Sequence, residues 1–277
     1  MMLHEPFLQQ RTALIRRYVP LSLVLVLTGF VLSFLWIYFV VLLVAGAIGI
    51  TVFMLKLQQA TATFKDHLMD AVLQEFFTDY SHNKKAGLSL FDVMASELLA
   101  KPDRYYSNDF IQGTYQGVGF AMSDVTMQRV IQTGKTTTVQ TYFRGPVMVF
   151  DFHKETKGKL IVQQSRRGHI FSSYKSVKLE SVQFNKRFFT YSTEQKLAFF
   201  ILTPHFMERL QRLEEEVPGQ FYFSFINSKM YVALHNNKDL FEVSMFGTIN
   251  QTIYDRFYHE VKIIVDLIED LRLNPNL

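Results

Sequence analysis

Cysteine is absent from the 277 residues, which excludes disulfide frameworks and thiolate chemistry. An excess of one charge is also missing. The formal net charge is only +4, so nothing drives the whole protein towards nucleic acid. Internal repeats and low-complexity linkers are not found, and the common catalytic signatures fail on inspection. Gly134-Lys135-Thr136 resembles the end of a phosphate-binding loop, but Arg129 stands where the first glycine is needed. Gly113, Gly117 and Gly119 have the wrong spacing for a dinucleotide loop and suit turns or bulges. His259-Glu260 opens like a zinc-protease helix, but Ile263 occupies the second ligand position. There is no GxSxG elbow, and the eight histidines are scattered without paired metal spacing. No metal or cofactor is expected.

Charge is missing altogether from Pro20 to Leu55, a run of 36 residues. As one helix this run would extend about 54 Å, against a hydrocarbon core of about 30 Å. Two spans of 17 or 18 residues fit better. Trp36 and Tyr38 fall at the middle of the run, where interface-seeking side chains suit the tip of a hairpin. Arg11, Arg16 and Arg17 precede the run, and Lys56 and Lys65 follow it. Basic residues on both flanks place both ends in the cytoplasm. Arg16, Arg17, Trp36, Tyr38 and Lys56 are the expected membrane-interface residues. The alternative is a single tilted span with the domain outside. Gly46 and Gly49 lack the GxxxG spacing and read as ordinary span composition. The expected organisation is a basic tail over 1–19, a transmembrane hairpin over 20–55 and a soluble domain over 60–277.

What the soluble part does have is aromatic mass. The chain is 48% hydrophobic and 15% aromatic, with 27 Phe, enough for a folded aromatic-rich core. A helical pattern runs from Thr61 to Tyr80, followed by a polar break over 81–87 and a short helix from Ser89 to Leu99. Strand chemistry follows over 109–116, 120–130 and 136–143, with a turn at Thr133-Gly134-Lys135. Val147–Phe152 and Lys159–Gln163 flank His153–Gly158 and read as a hairpin. Val177–Leu179 and Phe188–Tyr191 are weaker strands. Ser192 and Gln195 have capping-box spacing. Thr203 and Pro204 suit the N-cap and first residue of a second helix, with His205 as an exposed histidine at its start. Phe221–Ile226 and Met230–Leu234 form a hairpin about Asn227-Ser228, and a long amphipathic helix closes the chain. Without long crossover helices the sheet should be mostly antiparallel. The fold class is α+β.

Three stretches carry a family resemblance. They are Ser107-Asn108-Asp109-Phe110-Ile111-Gln112-Gly113 continuing to Ser123; Phe143-Arg144-Gly145 leading to Phe150-Asp151-Phe152; and Phe188–Ser192 running on to Leu202-Thr203-Pro204-His205-Phe206-Met207-Glu208-Arg209-Leu210. In this order, after a hydrophobic hairpin, they resemble the bacterial membrane-protein family known as domain of unknown function 3137 (DUF3137). The resemblance implies a bacterial, membrane-tethered and cytosolic domain. It assigns no activity, cofactor or site. The chain departs from the family pattern at Leu197-Ala198-Phe199-Phe200, where a charged Glu-Ala-Arg-Tyr run is expected.

One charge pattern stands out. Between Lys154 and Arg187, nine Lys or Arg face only Glu155 and Glu180. Lys154, Lys157, Lys159, Arg166, Arg167, Lys175 and Lys178 are candidate contacts for anionic lipid headgroups, each worth roughly 1 kcal/mol beside such a surface. The competing reading is a solvated strand face that discourages edge pairing. Asp109, Asp124 and Asp151 could converge only through the fold; turn and edge positions are expected for them. The leading expectation is a membrane-tethered, non-catalytic interaction or regulatory domain on the cytoplasmic face of a bacterial inner membrane, docking on anionic lipid. Its partners are the bilayer and an unknown protein, with no nucleic acid. The runner-up is a membrane-bound enzyme acting on a lipid or envelope precursor. A deep polar pocket with clustered, pKa-shifted carboxylates would favour the enzyme, a shallow basic face the binding module.

Overall fold

The computed structural model describes residues 4–31, 36–152, 157–165, 173–239, 241, 243 and 251–270. It divides into two compact units, Met1–Val72 with Phe241–His259, and Leu73–Leu240 with Glu260–Leu277.

The first unit is built on two long helices, α1 (His4–Val31) and α2 (Trp36–Phe76, which runs on into the second unit). They lie antiparallel. Phe7 meets Phe64 edge-on at 5.8 Å, and Tyr18 meets Phe53 at 6.2 Å. The uncharged run is therefore divided between two helices and is not one continuous helix. Both helices are long and apolar enough to cross a membrane, over Phe7–Phe30 and Val40–Phe76. Their apolar side chains point outward. Leu21, Leu23, Leu27, Phe30, Val41, Val44, Ile48 and Leu55 are all exposed, a pattern that water would penalise. Thr28 and Thr51 return their hydroxyls to the carbonyls of Val24 and Ala47, so these polar groups are satisfied within their own helices. A Cβ on Gly49 would meet nothing, and one on Gly46 would make ordinary contact with Val26; neither glycine is needed for close helix packing. Helix α1 begins at His4, inside the segment expected to be a tail. The pattern from Thr61 is the continuation of α2.

The second unit is an antiparallel sheet of nine strands among the described residues, with helices on it. The strands are β1 (Asp79–Asn83), β2 (Arg104–Tyr115), β3 (Val118–Thr133), β4 (Thr136–Asp151), β5 (Leu160–Gln163), β6 (Lys175–Val177), β7 (Phe189–Ser192), β8 (Gln220–Ile226) and β9 (Lys229–His235). Their order is β1-β2-β3-β4-β9-β8-β5-β7-β6. The register lines up Ile111, Met122, Met148, Val232, Phe223 and Val162 across one face, all buried. On the other face Ala121, Val149, Tyr231, Ser224, Ile161 and Tyr191 form the adjacent row.

Five further helices lie among the described residues: α3 (Leu90–Ala95), α4 (Val182–Arg187), α5 (Gln195–Ile201), α6 (Pro204–Glu216) and α7 (Gln251–Asp270). The segment around α3 covers the Ala121 face, burying Leu88, Val93, Leu98 and Leu99 with Val125, Met127, Phe143 and Val147. It is pinned by polar contacts: Leu88 N–H donates to Ser123 Oγ at 2.7 Å, and Ser224 Oγ donates to the Ser96 carbonyl at 2.7 Å. Helix α6 lies on the Phe223 face, with Phe206 edge-on to Phe225 at 5.8 Å. Its start is the expected one, since Thr203 Oγ1 accepts from Phe206 N–H at 3.3 Å and Pro204 is the first helical residue. At the end of α7, Glu269 Oε1 accepts from Tyr115 Oη at 2.5 Å and Gln116 Nε2 at 3.1 Å.

Several sequence expectations are corrected. Segments 147–152 and 159–163 do not form a hairpin, because β9 and β8 lie between β4 and β5. Segments 136–143 and 147–152 belong to one strand, β4. Ser192 does not cap a helix. It ends β7, its Oγ accepts from Glu194 N–H at 3.2 Å, and Glu194 is the N-cap of α5. The polar stretch 79–83, read as helix end and break, is an edge strand. The hairpin about Asn227-Ser228 is present, with both residues at left-handed φ of 51° and 55°, the twist that a two-residue turn between strands requires.

Candidate functional site

Two of the candidate interface residues, Arg17 and Lys56, come together around Tyr18. Lys56 Nζ donates to Tyr18 Oη at 3.0 Å and lies 5.3 Å from the ring centre; the Arg17 guanidinium lies 5.7 Å from the same ring. Arg16, Arg17 and Lys56 are exposed. Two basic flanks far apart in sequence thus share one level of the helix pair. From that level the apolar stretch Trp36–Lys56 rises about 30 Å, one hydrocarbon thickness. Trp36 opens α2 and Tyr38 follows in its first turn; their side chains lie outside the described residues.

The basic segment divides by what each residue touches. Lys154, Arg166 and Arg167 lie outside the described residues. Lys159 is committed to the fold: its Nζ sits 2.5 Å from Glu97 Oε1, and Tyr174 Oη donates to Glu97 Oε2 at 2.7 Å. Arg187, likewise, bridges Glu214 and Glu215 at 2.7 Å each. Lys157, Lys175, Lys178 and Lys186 are exposed. Helix α5 turns Lys196, Phe199 and Phe200 outward while it buries Leu197, Ala198 and Ile201.

A second cluster is buried. Asp124 lies in mid-strand, 3% exposed, and Asp109 is 2% exposed at a bulge in β2, with a left-handed φ of 53°. Asn108 Nδ2 donates to Asp109 Oδ2 at 2.9 Å, and His82 Nε2 stands 3.7 Å from Asp109 Oδ1. Asp239 arrives from the turn after β9, which is held to β4 where Asn236 and Asn237 N–H donate to the Arg144 carbonyl at 3.3 and 3.1 Å. Arg144 Nη2 is 3.7 Å from Asp239 Oδ2. The close approach of β4 and β9 here needs Gly145, whose φ is +144° and whose Cβ would collide with the Leu234 carbonyl oxygen. Burial above all, then the hydrogen bond and charge of Asp239 and the charge of Asp109, push Asp124 up to about 8; Arg144 acts the other way. Asp124 therefore keeps its proton near neutral pH. Asp124 and Asp109 do converge, so the turn-and-edge expectation is wrong for Asp124. Asp151 stands apart, on the opposite face. Asp239, the missing partner, carried no sequence signal because it follows β9 and reaches Asp124 only through the β4–β9 pairing.

On the Ala121 face two open depressions of about 410 and 330 Å³ share Ala121, Val149 and Lys229. Asp79, Asp92, Asp151, Gln112 and Thr114 rim them. Asp124 lines neither. Gly134 and Lys135 form the turn between β3 and β4, and His205 is exposed on the first turn of α6. Among the described residues no three His, Asp or Glu side chains are grouped to hold a metal ion.

No curated protein matches the chain. Among solved structures, the crystal structure of the mycobacterial trehalose monomycolate transport factor A, TtfA, is similar at a TM-score of 0.41 and 8% identity, over 76% of this chain and 94% of that one. Residues 141–273 match a family model described as protein of unknown function (DUF3137). The match takes in the stretches at 143–152 and 188–210, while the one at 107–123 precedes it. Over its C-terminal half the chain resembles the DUF3137 family.

Proposed function

We propose that the protein is a membrane-tethered, non-catalytic interaction or regulatory module of a bacterial inner membrane. Helices α1 and α2 insert as a hairpin, both ends stay in the cytoplasm, and the folded domain works beside anionic lipid. The observation that carries this reading is the antiparallel pair itself. It gathers Arg17 and Lys56 on Tyr18 at one end of an outward-facing apolar belt about one bilayer thick. Because the chain has no cysteine, single thiols at Gln10, Ser33 and Gln59 report topology cleanly. A membrane-impermeant maleimide added to intact cells should label Ser33→Cys and spare Gln10→Cys and Gln59→Cys until lysis. Labelling of Gln59→Cys with Ser33→Cys protected would put the domain outside and end the proposal.

A second reading, a membrane-bound enzyme acting on a lipid or envelope precursor, is favoured by the proton that Asp124 retains. Against it, Asp124 is buried on the sheet face opposite the two depressions. A general acid must reach its substrate.

A further inference from the structure

We propose that the β6 edge of the sheet, together with α5 and the start of α4, is a bilayer-docking surface. Exposed Phe199, Phe200 and Val182 enter the headgroup region while Lys175, Lys178 and Lys196 meet anionic lipid. The proposal rests on the membrane-tethered reading above and gives the lipid contact a place and a composition that the basic segment read from the sequence did not have.

This end of the molecule presents large apolar side chains to solvent. Phe199 is 43% exposed, Phe200 58% and Val182 67%. Elsewhere on the sheet the phenylalanines of β8 are buried, so the protein has room for aromatic rings in its core and does not use it for these two. Helix α5 packs on β6 and β7, and α4 packs on β7 and α6. The chain leaves β6 at Val177 and enters α4 at Val182, so Lys178 sits on the short link between them. Lys175 pairs in register with Ser192, close to where α5 starts. On α5 itself Lys196 is three and four residues from Phe199 and Phe200, a spacing that puts all three on one helical face.

Charge then selects the occupant. Among the described residues, Lys175, Lys178 and Lys196 form no ion pair, whereas Lys159 and Arg187 of the same basic segment are neutralised by Glu97, Glu214 and Glu215. A surface built to attract a soluble acidic partner would need only the lysines. One built to rest in a headgroup layer needs lysines around apolar side chains that reach past them, since basic residues attract the anionic leaflet and apolar side chains bury at its acyl boundary. The same chain carries two helices long and apolar enough to hold it at a membrane, which raises the local lipid concentration and makes a small surface sufficient.

The test uses the full chain in vesicles. Val182→Cys, the only thiol present, is labelled with an environment-sensitive fluorophore. The protein is reconstituted either in phosphatidylglycerol–phosphatidylethanolamine vesicles or in phosphatidylcholine vesicles, each with a nitroxide-labelled lipid as quencher. Docking predicts a blue shift and strong quenching in the anionic vesicles only, weakening as salt rises. Each of Lys175→Gln, Lys178→Gln and Lys196→Gln should lower the docked-to-free ratio by about fivefold. Phe199→Ser with Phe200→Ser should abolish quenching even at low salt, with protease resistance of the domain confirming that it is folded. Equal emission in both lipids that none of these variants changes would overturn the proposal. So would a probe that responds to added cytosolic protein and not to lipid. Vesicle flotation keeps the two readings separate: a chain that floats with an unquenched probe loses only the docking surface, whereas a chain that fails to float loses the tether.

Discussion

The proton held by Asp124 has a thermodynamic consequence that can be measured without knowing the function. Its carboxyl is raised from 3.8 to about 8 in the folded protein. In the unfolded chain it titrates near 3.9. Between those values the folded state binds about one proton more than the unfolded state. Stability contributed by this group is therefore full below about pH 4 and lost as pH rises through 8. The slope is one proton, ~1.4 kcal/mol per pH unit, so roughly 3 kcal/mol disappears between pH 5 and pH 7. Asp124→Asn replaces the protonated acid with a neutral amide of the same shape that can still donate to Asp239. It should remove the slope and leave the domain more stable than wild type at pH 7. Asp239→Asn should narrow the window without closing it, since burial, the largest cause, remains. Pulse proteolysis in urea, run on the full chain in detergent from pH 5 to pH 8, measures the difference between wild type and variant and cancels the background of other groups. A wild-type curve parallel to that of Asp124→Asn would refute the retention of a proton by Asp124.

Two further outcomes follow from single contacts. Thr203→Ala removes the N-cap of α6 and should cost about 1 kcal/mol in the same assay, with any cellular readout falling only as far as folding does. Lys159→Gln breaks the pair with Glu97 and should cost about 1 kcal/mol of stability, while vesicle docking of the folded variant stays at the wild-type level; a loss of docking at full stability would return Lys159 to the lipid-contact set.

The parts of the fold legible in the sequence were those fixed by local chemistry. Thr203-Pro204 states a helix start in two residues, and Asn227-Ser228 between two aromatic runs states a hairpin, because cap and turn preferences act over three or four positions. The uncharged run with Trp36 and Tyr38 at its centre announced two helices for the same kind of reason. What sequence missed was set by distant pairing. Strand β1 reads Asp-Tyr-Ser-His-Asn, with no apolar alternation, and is a strand because β2 offers it an edge. Segments 147–152 and 159–163 looked like partners because they are close in the chain, but β8 and β9 come from later in the chain and intervene. The basic segment was legible as composition only. Which of its basic residues are neutralised depends on Glu97, Glu214 and Glu215, each brought in by tertiary contact.

The strand order also imposes a timetable on synthesis. Strands β1 to β4 form a local meander that can assemble as soon as it emerges. The next strand laid on it is β9, where Val147 pairs with Ala233, about 85 residues later. At 5–20 residues per second the outer edge of β4 waits roughly 4 to 17 s for its partner. During that interval Val147 and Met148, buried in the finished protein, border a row of unpaired backbone groups, the arrangement that invites pairing with a neighbouring nascent chain. Nascent copies on one polysome would meet at that edge, so yield on overexpression should depend on translation rate and chaperone supply more than on the stability of the finished domain.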